Sequence, residues 1–393
     1  MSLYQQRGVS AQKEEVHAAT SELDTGLYPH AFCKIYPDYL GGDRDWVSVM
    51  HADGAGTKSI IAYLYWKETG DASVWKGIAQ DAIVMNLDDL LCVGIYDNLV
   101  FNSTIDRNKH LIPGQVLSEV INGSQQLFNM LESHGIHIKY LGGETADVGD
   151  VVRTIAVNGT LTARWPKQKI ISNEEIREGD VIVGLAGFGK ANYESEYNSG
   201  IASNGLTSAR HDLLHKFYAE KYPESFDPNT PYSVVYNGKY RVTDPVSIHW
   251  KGMDFETNVG KLVLSPTRTF APLLREVLET MPGKIHGMVH CSGGGQTKCL
   301  KYMPAGLSVI KDGLFEVPPI FKMIQASSGA DDREMYQVFN MGCRLEMYTD
   351  PASADQLISK AAAFGIEAQL IGRVVSSEKK YVRIHTSSGI IEY

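Results

Sequence analysis

The glycines of this chain bunch where apolar, strand-like runs end, and that placement restricts the fold more than any bulk property. Residues 46–50 read as a strand that runs into Asp53-Gly54-Ala55-Gly56-Thr57-Lys58. Residues 136–141 stop at Gly142-Gly143, and 284–290 end in Gly293-Gly294-Gly295. Of 393 residues 37 are Gly, about 9% against a usual level of about 7%. A glycine turn between strand and helix lets backbone N–H groups approach an anion. Taken alone, any one of these turns is more often a plain tight connection. Together they predict an α/β chain with phosphate-sized turns at strand ends.

Strand-like and helix-like stretches alternate through both halves. Helices are predicted over 74–92 and from Pro113, placed in the first turn, to 134. Strands are predicted over 99–105, 136–141 and 151–163. The polar, Pro-containing stretch 167–179 reads as a linker between an N-terminal domain, 1–166, and a C-terminal domain, 180–393. The second half opens on a buried strand, 180–186. Helices follow at 205–220, 266–280, 318–327 and 352–364, and strands at 284–290, 338–347, 368–374 and 381–385. Residues 223–261 are rich in Pro, Asn and Tyr and read as an irregular insertion.

A formal net charge of -9 speaks against a nucleic-acid partner, and a phosphate ligand would need metal ions or backbone N–H groups to hold it. Five cysteines without C-x-x-C spacing read as free thiols of a reducing cytoplasm. The N-terminal residues are polar, and no run of about 18 apolar residues occurs, so neither a signal segment nor a membrane span is expected.

Carboxylates recur beside the predicted strand and helix ends: Asp53, Asp81, Asp88, Asp89, Glu144 and Asp147. Such hard oxygen ligands suit Mg²⁺ bridging to nucleotide phosphates. Asp81 and Asp89, eight apart, share one side of a helix loosely; Asp88 fits a solvated acidic face better. Lys58 adds a positive charge to the first glycine turn, which lacks Walker A spacing. His286 and His290 share a strand face, and His290 borders the glycine triplet. Gly184-Leu185-Ala186-Gly187-Phe188-Gly189 does not keep the order of a dinucleotide fingerprint. No hydrolase triad is legible.

In order, these motifs resemble aminoimidazole ribonucleotide synthetase, also called phosphoribosylformylglycinamidine cyclo-ligase. The family's D-G-V-G-T-K is matched by Asp53-Gly54-Ala55-Gly56-Thr57-Lys58, and its N-D-L-x-x-x-G, except for the first residue, by Asp88-Asp89-Leu90-Leu91-Cys92-Val93-Gly94. G-G-E-T-A-E appears as Gly142-Gly143-Glu144-Thr145-Ala146-Asp147, S-N-G as Ser203-Asn204-Gly205, and P-T-R as Pro266-Thr267-Arg268. H-x-x-G-G-G runs from His290 to Gly295, E-M-Y-x-x-F-N-x-G from Glu334 to Gly342, and Y-x-x-x-G-V from Tyr4 to Val9. Chance explains one such match easily and the ordered set poorly.

The resemblance implies two α/β domains with mixed sheets and flanking helices, N-terminal sheets paired across a homodimer, and a cleft between the domains. It implies a reaction in which ATP and Mg²⁺ close the ring of formylglycinamidine ribonucleotide. By the same carry-over, Asp53, Asp81, Asp89 and Glu144 hold the metal, and Asp53, Lys58 and Asp89 act in catalysis. Gly54, Gly56, Thr57, Lys58, Gly143, Glu144 and Thr145 hold the nucleotide. Ser203, Asn204, Gly205, Thr267, Arg268, Gly293, Gly294 and Gly295 hold the substrate.

Two departures stand out. Many members read G-P-H-S-N-G where this chain has Gly200-Ile201-Ala202-Ser203-Asn204-Gly205, after a longer segment, 190–199, that carries Tyr193, Glu194, Glu196 and Tyr197. The family's E-N-(L/I)-P-R is replaced by Gln296-Thr297-Lys298-Cys299-Leu300. These changes keep open a second reading, another Mg-ATP-dependent kinase or synthetase of the superfamily that includes selenophosphate synthetase and thiamine monophosphate kinase.

Overall fold

The computed structural model describes residues 3–9 and 14–393, arranged around two sheets; parts of the polar N-terminal stretch lie outside the described residues. The first sheet contains β1 (Tyr36–Pro37), β2 (Trp46–Gly54), β3 (Leu99–Arg107), β4 (Ile138–Asp147) and β5 (Ile155–Pro166), in the order β1-β2-β5-β3-β4. Only β3 and β4 are parallel, and the Gly114–Ser133 helix makes the crossover that such a pair needs. In β3 and β5 every second residue is buried, Phe101 and Ile105, Val157 and Leu161 among them, and β2 shows the same alternation at its start, in Val47 and Val49. That buried face packs on the Trp75–Leu91 helix, which is buried nearly all round, its carboxylates Asp81, Asp88 and Asp89 included.

The second sheet contains seven strands. Across it run Ile285–His290, Cys343–Thr349, Val181–Ala186, Ala368–Ser376, Leu307–Lys311, Val382–Thr386 and Gly389–Glu392. Ile285–His290 and Cys343–Thr349 are buried at every position, and between their apolar residues they carry buried polar ones, His286, His290, Arg344 and Glu346. Core residues of both sheets form one contiguous cluster, and all five cysteines are buried and unpaired. Among the described residues no helix is long and apolar enough to cross a membrane.

Several expected elements differ. β4 does not stop at Gly142-Gly143 but runs on to Asp147, with a register shift against β3. Pro113 precedes the Gly114–Ser133 helix in an extended conformation instead of occupying its first turn. The helix expected over 205–220 is two, Leu206–Leu213 and Phe217–Lys221, and 338–347 is a helix end, Asp332–Val338, followed by a strand. Residues 266–270 belong to no helix or strand, and the helix begins at Ala271. The supposed insertion holds an antiparallel hairpin, Pro245–Trp250 with Met253–Asn258, and the Val259–Leu264 helix. Its two-residue turn, Lys251-Gly252, has positive φ at both positions, the geometry that matches strand twist in short hairpins.

Candidate active site

The first glycine turn opens where β2 leaves its sheet. Asp53 and Gly54 are still strand residues, Asp53 is exposed, and its Oδ1 accepts the Gly54 N–H at 2.7 Å. Thr57 precedes the Lys58–Thr69 helix and its hydroxyl lies 2.9 Å from that of Thr207, on the Leu206–Leu213 helix of the other half. Gly205 starts that helix at φ 76°, where a Cβ would sit 2.4 Å from the Phe339 ring, so only glycine fits. Ser203, in the same turn, has its Oγ 3.3 Å from Thr267 Oγ1. The Asn204 amide lies 3.6 Å from where a Cβ on Gly293 would stand, and the Gly293–Gly295 turn is closed by Gly295 N–H donating to Ser292 O. The fold thus brings the first glycine turn, the Ser203-Asn204-Gly205 turn, Thr267 and the glycine triplet close to one another.

Lys58 and Asp81 are placed differently from the expectation. Both side chains are fully buried, with Lys58 Nζ donating to Asp81 Oδ1 at 3.0 Å and to Ser265 O at 2.6 Å. The same Asp81 oxygen accepts from Thr267 N–H at 2.7 Å and Thr267 Oγ1 at 2.6 Å. Burial pulls the Lys58 ammonium below its ordinary range even though Asp81 opposes that shift. In this conformation Lys58 braces the floor of the cleft and does not reach into it.

Asp89 sits between two histidines. His290 Nδ1 lies 2.6 Å from Asp89 Oδ1, and His51 Nε2 lies 3.2 Å from Asp89 Oδ2. Arg344 Nη2 meets His290 Nε2 at 2.7 Å, and a guanidinium can only donate. His290 therefore accepts there and carries its proton on Nδ1, facing Asp89. Burial, with Arg344 beside it, pushes the His290 pKa down to about 4. On the other side the Asn86 amide donates to the carbonyls of Asp53, Ala82 and Gly159, which leaves its Oδ1 to accept from His51 Nδ1 at 3.0 Å. With acceptors at both ring nitrogens, His51 is held as the cation. Burial alone disfavours that charge, but Asp89 outweighs it and raises the pKa. Burial likewise disfavours the Asp89 carboxylate, yet the two histidines hold it well below the usual range.

The four carboxylates expected to hold a metal do not converge. Register puts Asp53 opposite Gly159, Gly159 opposite Ser103 and Ser103 opposite Gly143, so Asp53 shares a row and a face with Gly143. Glu144, one residue on, points to the other face and is exposed with Thr145 on the edge strand. Asp81 is committed to Lys58, and Asp89 to the histidines. Among the described residues no three His, Cys, Asp or Glu side chains are grouped to hold a metal ion. As a single resident metal site, this donor set does not fit. Asp88, expected on a solvated face, is fully buried, accepts from Thr269 Oγ1 at 2.7 Å, and lies 3.6 Å from Arg344. Burial raises its pKa to about 7. Arg268 does not reach the cleft: it is buried in a pair with Glu194 and against the Ala186 and Phe188 carbonyls.

Sequence reasoning missed His51, Asn86, Thr207 and Arg344 as parts of this layer, and named Glu194 only as part of the departing segment 190–199. His51 carried a usable signal, since two residues before Asp53 on a strand is the same face. Arg344 carried none, because its partners are remote in the chain.

Residues 36–165 match the family described as AIR synthase related protein, N-terminal domain, and residues 248–385 match its C-terminal domain. A phosphoribosylformylglycinamidine cyclo-ligase of Methanocaldococcus jannaschii is 30% identical over 335 residues, covering 85% of this chain and 79% of the relative. One from Methanococcus maripaludis strain C6 is 27% identical, covering 100% of this chain and 98% of its own. Among solved structures, a chain of a HypE-HypF complex superposes with a TM-score of 0.57 at 15% identity over 98% of both chains. Thiamine monophosphate kinase from Aquifex aeolicus gives 0.53 at 10% identity, over 95% of this chain and 96% of that one. At these identities the superpositions establish a shared fold.

Proposed function

Since the chain belongs to the phosphoribosylformylglycinamidine cyclo-ligase family, we propose that its cleft uses ATP to convert formylglycinamidine ribonucleotide into aminoimidazole ribonucleotide, ADP and phosphate. The observation that carries this reading is the 2.9 Å approach of Thr57 and Thr207, which sets the first glycine turn against the Ser203-Asn204-Gly205 turn. A nucleotide phosphate on one and a phosphoribosyl group on the other would meet over Thr267.

A formamide oxygen is a poor leaving group. Transfer of the γ-phosphoryl group to that oxygen releases ADP; the amidine nitrogen then attacks the same carbon, and the C–O bond breaks as phosphate departs. Positioning and neutralisation of phosphate charge supply most of such catalysis. Backbone N–H groups of Gly56 and Thr57, at the start of the Lys58–Thr69 helix, receive the nucleotide phosphates, and Gly54, whose own N–H is taken by Asp53, shapes the turn before them. Ser203, Asn204, Gly205 and the glycine triplet receive the substrate side, and Thr267 lies between them. Lys58 and Asp81 hold the floor rigid. In this reading magnesium arrives with the nucleotide as the partner of its phosphates, and Asp53 is the exposed carboxylate nearest the receiving loop. A homodimer is supported by the first sheet, whose face away from the helices exposes Met50 at 68%. A cytoplasmic location is part of the same proposal.

Substrate carrying ¹⁸O in the formyl group tests the chemistry. The label is expected in inorganic phosphate; unlabelled phosphate would overturn transfer to the formamide oxygen.

A further inference from the structure

The segment 190–199, in which the chain departs from its family's motif, is placed against segment 265–269. We propose that Glu194 is a positioning residue: by clamping Arg268 it fixes the 265–269 segment, and through Thr267 it sets the Ser203 turn to which the substrate binds. This inference deepens the cyclo-ligase reading and rests on it for the identity of the substrate.

The 265–269 segment has no helix or strand of its own, so its backbone must be satisfied by side chains. From the first half, Lys58 takes Ser265 O and Gln80 Nε2 takes Thr267 O at 2.8 Å. From segment 190–199, Asn198 Nδ2 takes Pro266 O at 2.7 Å and Tyr193 OH takes Thr269 O at 2.5 Å. Ser199 N–H donates to Ser265 Oγ at 3.1 Å. The segment is thus gripped from two sides by residues that belong to different parts of the chain.

Arg268 is the strut of this arrangement. Its Nε donates to Glu194 Oε1 at 3.0 Å, its Nη2 to Glu194 Oε2, and its Nη1 to Ala186 O at 3.0 Å and Phe188 O at 2.7 Å. Each guanidinium nitrogen is engaged, which leaves Arg268 to act on the cleft through the backbone it anchors. Glu194 is itself fixed, accepting from Ala191 N–H at 2.7 Å and from Asn198 Nδ2 at 3.2 Å. A buried guanidinium needs a carboxylate with this fork geometry, and removal of the charge leaves it uncompensated. The next residue back, Thr267, is the one whose hydroxyl reaches both Asp81 and Ser203. A shift of Arg268 is therefore passed to the substrate turn.

The test compares Glu194→Gln, which keeps the shape and loses the charge, with wild type. The KM for formylglycinamidine ribonucleotide is expected to rise about tenfold while the KM for ATP and kcat hold, the pattern of lost ground-state binding. In a Thr267→Val background, Glu194→Gln is expected to add less than about twofold, because both act along one path. A folded Glu194→Gln with an unchanged substrate KM, or effects that simply multiply, would overturn the inference. If Glu194→Gln does not fold, Tyr193→Phe is read instead: it frees Thr269 O at the end of the same segment and leaves the Glu194–Arg268 pair, so the same KM should rise by less, and no rise overturns the idea. If wild type does not turn over this substrate, the cyclo-ligase reading falls, and the inference is decided by hydrogen exchange. Amides of Thr267 and Arg268 should then exchange faster in Glu194→Gln, or in Tyr193→Phe, than in wild type, and equal rates would overturn it.

Discussion

The Trp75–Leu91 helix and the edge strand β4 carry the same kind of residue in the same kind of motif, and the fold treats them in opposite ways. On the helix, Asp81, Asp88 and Asp89 are buried, and each faces a cation: Lys58, Arg344 and His51. On β4, Glu144 lies in the open beside two glycines. Buried charges survive only when paired, so the helix is tied to the second half where its carboxylates meet Thr267, Thr269, His290 and Arg344, whereas Glu144 on β4 can change at little cost. A carboxylate next to a glycine is thus not a binding residue by composition; the partner that the tertiary structure supplies decides its role.

The largest expected effect lies on the helix side. Replacing Lys58 by Met strands the Asp81 charge, and urea unfolding should register a loss of about 3–5 kcal/mol. A loss below about 1 kcal/mol would mean that Asp81 escapes to solvent and that the floor of the cleft is loose.

A middle-sized effect concerns pH. His290 titrates near 4 in the folded chain, below its ordinary value of 6.5. A histidine buried as the neutral form contributes stability that is complete above the unfolded pKa and is lost as pH falls through 6.5 toward 4. Wild type should therefore lose more melting temperature over that window than a His290→Gln variant. Parallel curves would show that His290 is not held neutral.

The smallest effect belongs to β4. Glu144→Gln should change stability by no more than about 0.5 kcal/mol, as expected of an exposed position. A larger loss would show that the two regions are not as different as their burial suggests.

Much of the fold could be read locally. The alternation in β3 and β5 and the buried helix beside them follow from side-chain period, and the glycine motifs mark turns because glycine positions report backbone shape. What was hidden was set by distant partners. β4 looked finished at Gly142 because glycine weakens a strand signal, but β3 pairs with it beyond that point. Asp88 looked solvated because helical spacing does not reveal Arg344, which arrives from the second sheet. Arg268 looked like a cleft residue until Glu194 proved to occupy its fork. The hairpin around Lys251-Gly252 does carry a local signal, a two-residue turn ending in glycine between two strand-length runs.

The central claim is that one cleft joins the first glycine turn to the Ser203-Asn204-Gly205 turn for ATP-driven ring closure. Its most direct test is ADP release measured with and without formylglycinamidine ribonucleotide, in wild type and in Asp53→Asn. Release that depends on the substrate and collapses in the variant is the predicted result. Release that ignores the substrate, or that survives Asp53→Asn intact, would contradict it.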